Sequence, residues 1–406
     1  MTKGKIINDP VFGFITLPDG ILMDIIRHPL FQRLTRIKQL GLSSFVYPGA
    51  QHTRFQHSIG AYHLMSEALE TLMRKGTIIL DDEAEAAQAT ILLHDIGHGP
   101  FSHILEHFFV TDLCHEDVSL LIMERLNREF GGALDKAIRI FTDNYPRRFF
   151  HQLICSQLDV DRLEYLCRDS FFTGVREGNI GAARIIKILN VHEDKLVAES
   201  KGIYSIENYL TTRRLMYWQV YLHKTAIACE TVLVKALERA RDLINEGRQV
   251  DMPAALAYFL HKQLDRNEFM ASEEHLEHYT ELDDYDVWEA LKAWRCHDDR
   301  ILSILARDFV DRIPFKTETA ETEISPGRME QLRRDIAGAL GISPEDTRYF
   351  IAMHTVEKEM YTTAAEGIRM LYPDGQIRDV TDVSELINSD AADKKTAKQY
   401  LLYQRI

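Results

Sequence analysis

The sequence predicts a mainly α fold in two parts, a large helical unit over residues 1–315 and a small α+β unit over residues 316–406. Three observations lead there. Apolar residues recur at three- and four-residue intervals through most of the first unit, whereas strand-like runs are few and short. The stretch KTETAETEISPG (316–327), polar and without periodicity, separates the two patterns.

In chain order, IGAYHLMSEALETLMRK (59–75) has charge opposite its apolar stripe and reads as an amphipathic helix. EAEAAQATILLHDI (83–96) reads the same way, with Gly97 and the Gly99-Pro100 pair ending the helix that carries His94. KLVAESKGIYS (195–205) is expected to be a hairpin turning at Ser200-Lys201-Gly202, and 213–243 a long helix. In the second unit TRYFIAMHTV (347–356) reads as a strand, and IRMLYPDGQIRDV (368–380) as a hairpin turning at Asp374-Gly375.

Composition narrows the function. The 406 residues, 45% hydrophobic, suffice for a sizeable core. Lys and Arg number 48 against 62 Asp and Glu, a formal charge of −14, so nucleic acid and anionic membranes are disfavoured partners. Phosphates bind such a chain only where a local cationic cluster or a metal overrides the overall field. The five cysteines are dispersed, with no Cys-x-x-Cys pair, which points to a reducing, cytoplasmic setting. The N-terminus lacks the features of a signal peptide, and no apolar run approaches the roughly 20 residues that span a bilayer.

ILLHDIGHGPFSH (91–103) is the most informative segment. An apolar approach delivers His94 and Asp95 side by side at a helix end. His98 follows four residues after His94, on nearly the same face, and His103 comes after a glycine-proline break. A buried ionised aspartate is costly unless a cation pairs with it. A His-Asp pair alone is more often structural, but the two added histidines shift the reading toward metal chemistry. His57, in HTRFQHSIG just ahead of the helix near 59, and Asp161, in LDVDRLEYLCRD, are further ligand candidates. Two imidazoles and two carboxylates suit a divalent cation, with iron, manganese, nickel, zinc and magnesium all acceptable.

The segments KIINDPVFG (5–13), FQRLTRIKQLG (31–41), YPGAQHTRFQHSIG (47–60), LLHDIGHGPFSH (92–103), LDVDRLEYLCRD (158–169) and RRLMYWQVYLHK (213–224) together resemble the HD-domain deoxynucleoside triphosphate triphosphohydrolases. The resemblance runs in order through about residue 315 and implies an HD-type helical core. It implies that His57, His94, Asp95 and Asp161 ligate the metal. It further implies that His103, supported by Glu106, protonates the leaving oxygen, with His98 and His115 on the scissile phosphate. Arg54, Arg162, Tyr165 and Arg213 match positions that hold the triphosphate, while Gln39, Leu40, Tyr165 and Asp169 match the deoxyribose pocket, where Leu40 would crowd a 2′-hydroxyl. Spacing supports this independently. Asp161, Tyr165 and Asp169 recur every four residues, as do Arg213, Tyr217 and Tyr221, giving two polar helix faces. Family members activated by guanine nucleotides carry an acidic residue and an arginine where this chain has Arg27 and Thr35, so that route of activation is not expected. The resemblance also implies a homo-oligomer, a dimer or tetramer.

The resulting expectation is hydrolysis of deoxynucleoside triphosphates to deoxynucleoside and inorganic triphosphate. Two rivals stay open: an HD phosphohydrolase for a monophosphate, cyclic or signalling nucleotide, and a nucleotide-binding regulatory protein with little turnover.

Overall fold

A computed structural model describes residues 4–101, 104–320, 324–358, 367–387 and 396–406. A short antiparallel hairpin, β1 (Lys5–Asp9) and β2 (Gly13–Leu17), opens the chain. The helices that build the interior are α1 (Arg54–Arg74), α2 (Asp81–Leu93), α3 (His115–Glu129) and α4 (Val160–Thr173). A hairpin of β3 (Leu189–His192) and β4 (Lys195–Glu199) leads into α5 (Ile203–Met216), a π turn at Tyr217–Tyr221 and α6 (Lys224–Asn245). Shorter helices follow, ending in α7 (Arg300–Val310). The chain closes with β5 (Lys316–Ala320), a helix at Pro326–Leu340, β6 (Ile351–Lys358), β7 (Arg369–Leu371), β8 (Ile377–Asp379) and β9 (Thr396–Tyr403).

Local chemistry fixes the helix ends. The Thr53 N–H, just ahead of α1, donates to Gln56 Oε1 at 2.9 Å, satisfying a group the helix leaves open. Three acidic residues, Asp81, Asp82 and Glu83, occupy the first turn of α2, where the helix dipole favours them. Asp159 caps α4 by accepting from the Arg162 N–H at 2.7 Å, and Gly174 ends it at φ +74°, a conformation that glycine adopts without strain. Helix α1 packs on both α2 and α4, and Leu64, Met65, Leu92, Leu93, Leu163 and Leu166 are buried between them. The site residues therefore hang on a dry, close-packed helical layer.

Several sequence expectations shift. Helix α1 begins at residue 54 rather than 59, so His57 lies in its first turn. Helix α2 stops at Leu93, and the chain leaves it through tight turns (Ile96 N–H to Leu93 O, 3.1 Å; His98 N–H to Asp95 O, 3.2 Å). His94 and His98 therefore do not share a helix face. The predicted helix 213–243 is interrupted by the π turn, and His223 Nδ1 accepts from the Thr225 N–H at 3.2 Å to start α6 anew. The first hairpin turns at Glu193-Asp194 (φ 49° and 55°), whereas 200–202 is the entry to α5. Acidic residues at two consecutive positive φ positions are a weak turn signal, and Ser-Lys-Gly is a misleading one.

The second hairpin matches its expectation, with Gly375 at φ +82° between β7 and β8. The stretch expected to be featureless contains β5, which pairs with β9; β9 also pairs with β6, giving the order β5-β9-β6. Strand β7 adds in parallel to β4, so backbone hydrogen bonds join the residues after 315 to the helical unit.

Arg239 of α6 binds Asp299 through Nη2 (2.7 Å) and Nε (3.1 Å), and Asp299 also caps α7 through the Leu302 N–H at 2.8 Å. Both side chains are buried. Asp299→Ala removes the cap and leaves the guanidinium short of its partner. It is expected to cost about 2–4 kcal/mol, read from the denaturation midpoint at unchanged m.

Candidate metal and phosphate site

Three elements bring the predicted ligands together: the first turn of α1, the turn after α2 and the first turn of α4. His57 Nε2 lies 3.0 Å from Asp161 Oδ1 and 3.6 Å from Asp95 Oδ2, and His94 Nε2 lies 3.3 Å from carboxylate oxygens of both aspartates. Donor atoms of His57, His94 and Asp161 fall within 4.8 Å of one another. Asp95 reaches the other way as well, its Oδ1 3.5 Å from His98 Nε2, and Asp95, His98 and His115 form a second such group. Asp95 thus sits between the two.

The orientation of the rings suits metal ligation. His57 Nδ1 lies 2.5 Å from Glu164 Oε2, an arrangement that directs the other ring nitrogen at the cluster. That nitrogen, His57 Nε2, is fully buried and, although Asp161 Oδ1 lies 3.0 Å away, makes no well-directed hydrogen bond among the described residues. His94 Nδ1 faces the Ile91 carbonyl at 2.7 Å, which likewise turns its Nε2 inward. A divalent cation would satisfy this inward-facing nitrogen and the gathered carboxylates at once, so the donor set fits one.

The cluster calls for positive charge, carried by a proton on His57 or by a cation that displaces it. Burial alone would lower the His57 pKa, but the Glu164 and Asp161 carboxylates outweigh it and push it up to about 10. Burial would raise Asp95, yet His94, Arg54 and His98 hold it well below the usual carboxylate range. Arg54 is buried and paired with Asp95. His98 is held well below its ordinary value by burial and by Arg54 and His115, so it is neutral near pH 7. It stacks on His115 with ring centroids 3.8 Å apart. Glu106 binds both the backbone N–H and Nδ1 of His115 at 2.7 Å. The expected pairing of Glu106 with His103 cannot be placed, because His103 lies outside the described residues.

The remaining predicted residues form two further groups. Arg162 is paired with Asp159 and donates to the Ser156 carbonyl at 2.6 Å, while Arg213 donates to Gln157 Oε1 at 2.9 Å. The loop 156–159 thus carries both guanidinium groups. Asp169 accepts from Tyr221 Oη at 2.8 Å and pairs with His52 Nε2 at 2.7 Å. Tyr165 and Tyr217 pack edge-on against Tyr221, at 6.0 and 5.2 Å between ring centroids. Gln39, Leu40, Tyr217 and Tyr221 line one cavity of about 640 Å³.

Sequence reasoning missed the supports. Glu164 Oε1 accepts from Arg168 Nε at 2.6 Å, and Arg168 reaches Asp9 of β1 at 2.9 Å, so a buried chain of charges runs from His57 to the N-terminal hairpin. A Glu and an Arg four apart, flanked by leucines, were its sequence signal. Fully buried Arg33 donates to the His98 carbonyl at 2.8 Å. Ser119 Oγ donates to the His94 carbonyl (2.8 Å) and accepts the Gly97 N–H (2.9 Å), which fixes the turn after α2. Gly97 is required there, since a Cβ would lie 2.2 Å from the His115 carbonyl.

Comparison with known proteins gives a consistent result. The HD domain model matches residues 54–169, and the HD associated region model matches residues 180–257. A phosphohydrolase of known structure from Bacteroides thetaiotaomicron is 55% identical, with a TM-score of 0.97, over 99% of this chain and 100% of that one. The uncharacterized protein YwfO of Bacillus subtilis is 30% identical over 98% of this chain and 91% of its own length. The deoxynucleoside triphosphate triphosphohydrolase SAMHD1 homolog of Dictyostelium discoideum is 32% identical over 62% of this chain, which spans 52% of that protein.

Glu164→Gln is expected to weaken divalent-metal binding about 10–100-fold, measured by calorimetric titration of chelator-stripped protein with manganese. Gly60→Ala should act in the same direction, because its Cβ would lie 2.1 Å from Glu164 Oε1.

Proposed function

This chain belongs to the HD-domain phosphohydrolases, and from that premise we propose that it hydrolyses deoxynucleoside triphosphates to deoxynucleoside and inorganic triphosphate. The observation that carries the reading is that two arginines, Arg162 of α4 and Arg213 of α5, are both anchored to the loop 156–159, which leads into the helix of the proposed ligand Asp161. A monophosphate has no outer phosphates for them to neutralise. The triphosphohydrolase name of the Dictyostelium relative supports the same choice.

In this reading His57, His94, Asp95 and Asp161 hold a divalent cation. Such a cation supplies charge neutralisation at the phosphoryl oxygens and a more acidic water. Arg54, fixed by Asp95, orients the first phosphate. Neutral His98, stacked on His115, offers a hydrogen bond to that phosphate without competing for the metal's charge. Glu106 sets the His115 ring. Water adds to the first phosphorus as the bond to the 5′ oxygen breaks, and His103 is assigned the proton that the departing oxygen takes up. Arg162 and Arg213 bind the outer phosphates: Arg213, held by the neutral Gln157 amide, brings positive charge that the acidic chain as a whole lacks, and Arg162, already paired with Asp159, brings chiefly N–H donors. Tyr221, oriented by Asp169, and Leu40 bound the sugar, with Leu40 crowding a 2′-hydroxyl.

Incubation of metal-supplemented protein with each of the four deoxynucleoside triphosphates should release inorganic triphosphate, separable from pyrophosphate by ion-exchange chromatography. Arg213→Ala should lower kcat/KM about 10²–10³-fold. Release of pyrophosphate or orthophosphate instead, or full activity in the arginine variant, would overturn the proposal.

A further inference from the structure

The cavity that Gln39, Leu40 and Tyr221 open does not end at the sugar. It continues along α6 past Glu230, Val234 and Lys235, and the C-terminal strand β6 closes it with Ala352 and His354. Its volume of about 640 Å³ lies within the range of about 300–1,000 Å³ common to small-molecule sites. Three of its walls have distinct chemistry. At the sugar end, Gln39 Oε1 is buried with no hydrogen-bond partner among the described residues. Lys235 is paired with Glu238 at 2.8 Å and so is neutralised. Glu230 projects from the first turns of α6, and its carboxylate has no ion pair or side-chain hydrogen bond among the described residues. Burial pushes the Glu230 pKa up to about 7, which marks a carboxyl group lacking a cationic partner.

A buried acceptor without a donor costs free energy unless a ligand brings one. We propose that this cavity receives the nucleotide's base and that Glu230 selects it, favouring guanine. The inference rests on the nucleotide-hydrolase reading above. A nucleotide with its sugar against Leu40 and Tyr221 directs its base away from the metal ligands, into the part of the cavity that Glu230 lines. Guanine presents two adjacent N–H donors, N1 and N2, which match the two oxygens of an ionised carboxylate and stabilise its charge. Adenine and cytosine place an acceptor nitrogen beside their amino group, and thymine flanks its single N–H with carbonyls, so each sets a lone pair against the ionised carboxylate, the form that predominates above about pH 7. Because β6 supplies Ala352 and His354 to the wall, the C-terminal sheet borders the cavity that takes the base.

The test compares full-length, metal-loaded wild type with Glu230→Gln and Val234→Phe. Affinities for the four deoxynucleoside triphosphates are measured by calorimetry, and kcat/KM by triphosphate release. Glu230→Gln should lower the preference for dGTP over dTTP roughly tenfold in both readouts. Val234→Phe, which narrows the cavity, should weaken both purine nucleotides more than both pyrimidine ones. If both variants rank the four nucleotides as wild type does, or if wild type binds none of them, the base assignment is overturned. If wild type binds them with the expected ranking but releases no triphosphate, the hydrolase reading fails while the base assignment stands.

Discussion

The site depends on a buried charge that cannot be left alone. His57 has no access to solvent, and both of its ring nitrogens face groups that demand a defined charge state: Glu164 on one side and the Asp95/Asp161 carboxylates on the other. Burying one carboxylate costs several kcal/mol unless it is paired and hydrogen-bonded. The fold meets that requirement with a sequence of partners, Arg168 on Glu164 and Asp9 on Arg168, that ends in the first hairpin. The N-terminal strands, which hold none of the proposed ligands, are therefore tied to the orientation of one. Gly60 leaves the space that this chain of charges occupies.

The same logic accounts for the distribution of charge around the proposed substrate. A chain with formal charge −14 repels a triphosphate at long range. The arginines that offset this are held in place rather than left on flexible stems: Arg54 by Asp95, Arg162 by Asp159 and the Ser156 carbonyl, Arg213 by Gln157. Groups fixed before the substrate arrives need little reorganisation when charge moves between oxygens, which is the form of catalysis suited to phosphoryl transfer.

How much of this was legible in the sequence follows from how each residue acts. Ligands reveal themselves because a run such as LLHDIGHGPFSH puts costly polar groups where apolar packing is expected; His57 and Asp161 needed the family resemblance, since nothing in their own neighbourhoods distinguishes a ligand from a buried hydrogen-bonding residue. Supports stayed hidden for a different reason. A Glu and an Arg four apart, as Glu164 and Arg168 are, commonly form an exposed pair on a helix, and only the packing of α1 against α4 shows these two buried. Helix extents were read well where periodicity is long and poorly where a few residues decide the outcome. The π turn at Tyr217–Tyr221 and the early start of α1 both fall in stretches whose apolar spacing suits either continuation or interruption. Glu230 carries no sequence signal at all, because the cavity it lines is closed by β6, far along the chain.

The central claim is that one divalent cation is gripped by His57, His94, Asp95 and Asp161. Anomalous X-ray scattering from crystals of the manganese-loaded protein tests it directly. The account predicts a peak about 2.0–2.3 Å from His57 Nε2, His94 Nε2 and an oxygen of each aspartate. A peak elsewhere, with these four side chains bonded only to one another, would contradict it.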